Sequence, residues 1–337
     1  MRFHILFLPL MLALTACHDD SRHIGREQFV QEVRLDCTPV KDQGQSSLCW
    51  IYATLATIET EHIAEGDSVN LSADYVARQL FACEAPTAYL SRGEKSICQR
   101  GMMTRALHLL RQKGVMPYDS YHARQQVNYR ALARRTLMAM QREHTLAAAT
   151  RAADTVMDNA IDYLPRRVYM LGAEYSPVDF AQSVCRRDEW QPVTSFTHHP
   201  FGQKFRLEVP DNTEGDEFFN LPLDQMISLM VRSLRRGHPV CWEGDISEPG
   251  FSFARGIADV PCTAARCTQQ ERQRQFENLS TTDDHCMTIV GIARRHDGKR
   301  FFIAKNSWGT DNPYGGYMYL SENYVRLKTI ALLIWKS

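Results

Sequence analysis

The sequence predicts an α+β protein in which two lobes share one cleft, and three observations lead there. In the first half, apolar positions recur at helical spacing: Ile51, Leu55 and Ile58 do so within residues 48–65. In the second half, "RRGHPVCWEGDI", "HCMTIVGIARR", "RFFIAKNSW" and "GGYMYLSENY" are strand-length apolar runs separated by Gly, Asp or basic turns. The bulk composition, 337 residues with 44% hydrophobic and 23% charged, suits one large domain or two intimate ones.

Taken in order, the helix over residues 48–65 stops at Gly66, and a second begins in "LSADYVARQLFA", with Ser72 placed to cap it. A third spans residues 102–112 and ends at Gly114. Residues 125–167, rich in Ala, Arg, Leu and Met, read as further helix, and "RLKTIALLIW" reads as a last strand. Acidic and basic residues balance at 39 each, so no field favours nucleic acid or an anionic surface. The sequence does not indicate an oligomeric state.

The N-terminus differs from the rest. Arg2 precedes "FHILFLPLMLALTAC", an apolar run too short and interrupted to span a bilayer stably, which reads as a secretory signal. Leu14-Thr15-Ala16-Cys17 resembles the bacterial lipoprotein box. The resemblance implies a signal peptide over residues 1–17 and a lipid on Cys17 that anchors the chain to a membrane of the cell envelope, facing the periplasm or the cell surface. Residues 18–36 then read as a flexible tether; the alternative is a plain signal peptide with an incidental Cys17.

Export makes disulfides possible, and Cys83 with Cys98, flanking a polar stretch, is the first expectation; Cys262 with Cys267 is a weaker one. Cys241 and Cys286 lie in apolar runs and read as buried thiols. No C-x-x-C or H-E-x-x-H is present, so neither a metal nor another cofactor is expected. The adjacent His198 and His199 read as loop residues.

The chemistry concentrates in "KDQGQSSLCWIYATLATI", where a polar loop runs into a thiol and a helix starts at once. At a helix N-terminus, Cys49 meets unpaired N–H groups and the positive end of the dipole, which favour a thiolate. Acyl transfer also needs an imidazole partner, a group to orient it and a donor for the oxyanion. His285 opens an apolar strand, Asn306 follows the next one, and Gln43 lies six residues before Cys49. If the two strands pair as a hairpin, His285 and Asn306 fall together and Trp308 covers their hydrogen bond.

"PVKDQGQSSLCW", "DDHCMTIVG" and "AKNSWGTDNPYGGY" resemble, in the family's order, the three active-site segments of the papain superfamily of cysteine peptidases. "LSADY" with "GMMTRALHLLRQKGVMPYDSY", and "PLDQMISLMVRSLRRGHPVCWEGDI", resemble the flanking parts, and the phrase around His285 and Asn306 is most similar to the bleomycin hydrolase and aminopeptidase C branch. The resemblance implies a papain-like two-lobe fold over residues 37–337, with a helical N-terminal lobe, a β-barrel-like C-terminal lobe and a helical insertion at about 125–175. It implies a peptide or protein substrate, Cys49, His285, Asn306 and Gln43 as catalytic residues, and Arg100 and Gly101 where papains line the substrate cleft with a Gly-Gly pair. Asp284 and Trp308 are placed with these substrate-facing residues, while Asp283 and Asp284 read first as solvated loop acids, with tuning of His285 as the alternative. "SSL" before Cys49 drops the papain disulfide rooted there. With the chain stopping at Ser337, the cleft-filling C-terminal arm of bleomycin hydrolases is expected to be absent or short, leaving aminopeptidase and open-cleft endopeptidase both open. The rival from another class is an inactive papain-like lipoprotein that holds peptides or a partner; a transglutaminase or amidase with the same Cys–His pair is a third.

Overall fold

The computed structural model describes residues 27–170, 172–186, 188–261 and 266–336. Its elements begin with β1 (Phe29–Arg34) and the central helix α1 (Cys49–Ala64), followed by α2 (Ala73–Leu90) and α3 (Met103–Lys113). Helices α4 (Tyr129–Met140) and α5 (Leu146–Ala160) precede the hairpin β2 (Val168–Met170) and β3 (Ala173–Tyr175), then α6 (Pro177–Val184). Strands β4 (Trp190–Thr194), β5 (Lys204–Arg206) and β6 (Glu217–Asn220) lead to α7 (Leu223–Arg235) and β7 (Val240–Gly244). After β8 (Phe251–Ser252), β9 (Ile257–Ala258) and α8 (Gln269–Glu277) come β10 (His285–Arg295), β11 (Arg300–Lys305), β12 (Tyr317–Ser321), α9 (Glu322–Lys328) and β13 (Thr329–Trp335).

Local chemistry sets most helix boundaries. Ser72 caps α2 by accepting from the Tyr75 N–H at 2.9 Å. Asn128 and Thr145 cap α4 and α5, so the long helical stretch expected over residues 125–167 is broken into a pair, with a hairpin filling the rest of the insertion. Gly114 ends α3 at φ +81°, and a Cβ there would lie 2.2 Å from the Pro177 carbonyl carbon. Helix α1 is apolar almost all round and is covered on nearly every side, which is how a central helix reads.

The sheet runs β5-β6-β4-β13-β7-β10-β11-β12-β9-β8, with β1 added alongside β10. Strands β5 and β8 end this path without pairing to each other, so among the described residues the β-barrel-like lobe is an open twisted sheet. Side chains alternate across it. On β7, Val240 and Trp242 pack with Met226, Met230 and Leu234 of α7, while Cys241 joins the helical lobe's core. On β10, the Thr288 hydroxyl donates to the Ala53 carbonyl of α1 at 2.8 Å and also bonds Thr57 at 3.2 Å. That contact fixes β10 against the helix whose first residue is Cys49.

Three expectations need correction. Residues 29–34 of the expected tether form β1, because Phe29 stacks on Tyr319 at 4.1 Å and meets the edge of Phe301 at 4.9 Å. Residues 1–26, with the signal and Cys17, lie outside the described residues. Cys83 and Cys98 are both free thiols rather than a disulfide. Helix α2 continues seven residues past Cys83 to Leu90, which carries the chain about 10 Å along the axis before it turns. Cys267 is in a disulfide, and Cys262 lies outside the described residues. The acid before Asp284 is no solvated loop residue, since Asp283 is only 5% exposed.

Candidate active site

Cys49 is the first residue of α1, and Leu48 before it supplies no side-chain cap. The Ile51 and Tyr52 N–H groups donate to the Leu48 carbonyl at 2.9 and 3.2 Å, so of the first turn it is the Cys49 and Trp50 amides that face the helix end beside the thiol. Cys49 is held well below the usual thiol range. A hydrogen bond from the Cys286 thiol lowers it most; burial works the other way, and the hydrogen bond and charge of His285 lower it further. His285 thus stands against the thiol on one side, and on the other its Nε2 meets Asn306 Oδ1 at 2.7 Å. The Asn306 oxygen also accepts from the Ser307 N–H at 2.8 Å, which fixes the amide's orientation. Trp308 lies over the pair, its ring centroid 4.7 Å from that of His285, and is backed edge-on by Phe251 and Phe253. Trp308 lies just past the end of β11, where it bridges Asp42 beside Gln43.

Gln43 joins the same loop. Its N–H donates to the Ser307 carbonyl at 2.8 Å, its Oε1 accepts from the Ser307 hydroxyl at 2.6 Å, and its Nε2 donates to the Ser46 carbonyl at 2.8 Å. One N–H of the amide is committed to Ser46, and the other is left for an oxyanion. Below the loop, the fully buried Glu59 of α1 binds Lys41 Nζ at 2.6 Å, the Leu71 N–H at 2.7 Å and the Thr38 hydroxyl. Lys305 Nζ donates to Thr38 at 2.7 Å, and burial pushes this lysine down to about 8. This polar knot holds the Gln43 loop and the end of β11 to one helix, so Gln43, Cys49, His285 and Asn306 are positioned together. The loop's other side opens on a cavity of about 610 Å³ whose far wall includes Gln126 and Tyr129, at the start of the insertion.

Of the residues expected to face substrate, Gly101 lies against the helix that carries the thiol: a Cβ there would be 2.8 Å from Arg105 Cδ and 3.0 Å from the Trp50 ring. Arg100 is half exposed and pairs with Asp211, with Asp283 4.0 Å away. Asp284 turns to the Ser247 and Thr282 hydroxyls. His198 and His199 both bond Glu208, at 3.2 and 2.6 Å, and with it form a group of metal-ligand type. The Gln273 amide points its N–H at His198 Nδ1, which places the His198 proton on Nε2, the atom a metal would need.

Three residues around the thiol, Cys286, Glu243 and Asp211, carry no catalytic signal in the sequence. Cys286 was read only as a buried thiol, and Glu243 sits inside an apolar run. Asp211 arrives from a loop about 160 residues along the chain. The one usable signal was alternation on β7, which puts Glu243 on the same face as Cys241, toward α1.

Comparison with known proteins agrees with this geometry. Residues 165–334 match the peptidase C1-like family, and residues 28–198 match the papain family of cysteine proteases. Thiol protease SEN102 of Hemerocallis sp. is 23% identical over 85% of this chain and 51% of its own length. Aminopeptidase C of Streptococcus thermophilus is 21% identical over 41% of this chain and 33% of its own. Cysteine proteinase 1, mitochondrial, of Saccharomyces cerevisiae is 22% identical over 88% and 74%. The chain thus spans about half of the first of these relatives and a third of the second. The crystal structure of PepW from Lactobacillus rhamnosis shares the fold, with a TM-score of 0.66 at 15% identity over 91% of this chain and 82% of that one. The chain therefore belongs to the papain superfamily of cysteine peptidases, on the side that holds aminopeptidase C, bleomycin hydrolase and cysteine proteinase 1.

Proposed function

We propose that the protein hydrolyses peptide bonds through a thioester on Cys49. The thiolate attacks the peptide carbonyl, and the developing oxyanion takes hydrogen bonds from the Gln43 amide and the Cys49 N–H. His285 gives its proton to the departing amine, then takes one from water as that water attacks the thioester and releases the acid. Asn306 holds the imidazole in one plane and tautomer, and Trp308 keeps water from their hydrogen bond. The observation that carries this reading is the unbroken contact from Cys49 through His285 to Asn306, with the thiol held low.

The test is hydrolysis of a peptide library with free and with blocked N-termini, beside labelling of Cys49 by a thiol-directed covalent probe. Turnover that vanishes in Cys49→Ala, with unchanged melting, is the expected result. A Cys49 that labels no faster than a free thiol at neutral pH sinks the reading and leaves a binding module. Within the peptidase reading, loss of cleavage on blocking the N-terminus marks an aminopeptidase, and its persistence marks an endopeptidase. Export with a lipid on Cys17 is a separate proposal, supported by "LTAC" after an apolar run. Membrane fractionation of the native chain against Cys17→Ala tests it, and equal partitioning of the two refutes it.

A further inference from the structure

Beside the thiol, three carboxyl groups gather from separate parts of the chain. Glu243 stands opposite Cys286 in the β7–β10 register and points to the α1 side of the sheet. Its carboxyl meets the Cys286 thiol, which itself touches Cys49. Glu243 is 1% exposed, yet its Oε2 has no hydrogen-bond partner. A buried acceptor left in that state is costly unless something arrives to bind it. Asp283 lies two residues before His285 and accepts the Asp211 N–H at 2.7 Å. Asp211 and Glu243 both lie within electrostatic reach of Asp283 and of Cys49.

Against these acids stands the Arg100 guanidinium, whose side chain is 54% exposed and therefore well screened by water. Burial and the charge of Asp283 push Asp211 up to about 7, and burial with the charges of both aspartates raises Glu243 well above the usual carboxylate range. The cluster is short of positive charge.

Residues 207–216, between β5 and β6, place Asp211 there. Asn212 ties the loop together by donating to the Leu207 and Asp216 carbonyls, both at 2.9 Å. The loop reaches the helical lobe through Asp216 with His108 at 2.8 Å and Glu214 with Arg105 at 3.4 Å. Its Asp211 joins Arg100 of the helical side to Asp283 of the sheet side. The loop therefore bridges the two walls next to the thiol.

We propose that Glu243, Asp211 and Asp283 form a subsite beside Cys49 that binds a cationic group of the substrate, either a free α-amine or a Lys or Arg side chain near the scissile bond. With a neutral group there the raised acids keep their protons and form no ion pair, so only a cationic group gains the charge-assisted contacts of the site. The proposal deepens the peptidase reading and rests on it.

The experiment measures kcat/KM for matched fluorogenic peptides: free or acetylated at the N-terminus, and, when acetylated, carrying Arg or its neutral isostere citrulline beside the cleaved bond. The wild type is expected to prefer the cationic member of at least one pair roughly tenfold or more. That ratio should fall toward one in Asp211→Asn and in Glu243→Gln. Preference in the first pair identifies the α-amine as the ligand, and preference in the second identifies the side chain. A wild type indifferent to charge in both pairs overturns the proposal, as do folded variants that keep the preference. If Glu243→Gln fails to fold, Asp211→Asn decides. Protection of wild-type Cys49 from iodoacetamide by Nα-acetylarginine amide, but not by Nα-acetylcitrulline amide, reads the side-chain ligand without turnover, and protection by citrulline amide, but not by its Nα-acetyl form, reads the α-amine. Cleavage without charge preference thus sinks the subsite alone, whereas an unreactive Cys49 with no cleavage sinks the peptidase reading.

Discussion

Asn306→Ala isolates the part of the site that holds the imidazole. Both His285 and Asn306 are 3% exposed, so water does not readily replace the lost acceptor. The substitution removes the 2.7 Å bond to His285 Nε2 and also leaves the Ser307 N–H without its 2.8 Å partner. A hydrogen bond to a group that is charged in the transition state is worth about 1.5–3 kcal/mol, which is roughly a 10- to 150-fold loss of kcat/KM. Trp308 still lies on the ring, so the histidine stays near the thiol, and the loss should be smaller than for Cys49→Ala, which removes the nucleophile. The assay is kcat/KM against pH on a peptide the wild type cleaves, with the alkylation rate of Cys49 measured in parallel and the melting temperature as a control for folding. A change of less than about threefold, with a superimposable pH profile, would falsify the orienting role.

Gln43→Ala should reduce kcat by roughly 100- to 1000-fold with a small change in KM, because the amide donates to charge that appears only in the transition state; equal changes in both constants would place Gln43 in ground-state binding instead. Cys286→Ala removes the largest influence that lowers the Cys49 thiol. A thiol less stabilised as thiolate ionises later, so the acid limb of Cys49 alkylation should move to higher pH; an unmoved limb would leave His285 as the dominant partner. Gly101→Ala forces a Cβ to within 2.8 Å of Arg105 and 3.0 Å of Trp50. Overpacking of this kind costs about 1–3 kcal/mol, to be read as a lower denaturation midpoint.

Much of the molecule follows from the order of its residues. The β10 strand is readable because "HCMTIVGIARR" is a continuous apolar run, and it proved to span His285–Arg295. The α2 cap is readable because Ser72 precedes an apolar helical pattern. Gln43, Cys49, His285 and Asn306 stand out as candidates because Cys49 begins a helix, His285 opens a strand and Asn306 follows one, and because the segments that carry them resemble, in order, those of the papain family. The extra strands were harder to see: β1 carries only Phe29 and two valines, and its place depends on the aromatic cluster of Tyr314 and Tyr319 almost three hundred residues away. The supposed Cys83–Cys98 bridge failed for a similar reason, since how far α2 continues depends on its packing rather than on the cysteines it carries.

The sequence by itself determined the lobe that is helical and the lobe that is sheet, because periodicity is a local property, and it brought Gln43, Cys49, His285 and Asn306 forward as candidates through three segments that resemble those of the papain family. Only the tertiary structure decided what surrounds the thiol. Glu243, Asp211, Asp283 and Cys286 come from β7, the β5–β6 loop, the stretch before β10 and β10 itself, and they share a site because the sheet's alternation and the bridging loop turn them all to one face of α1. Charge acts through space, so what distinguishes this cleft is written in distances that no single stretch of the chain contains.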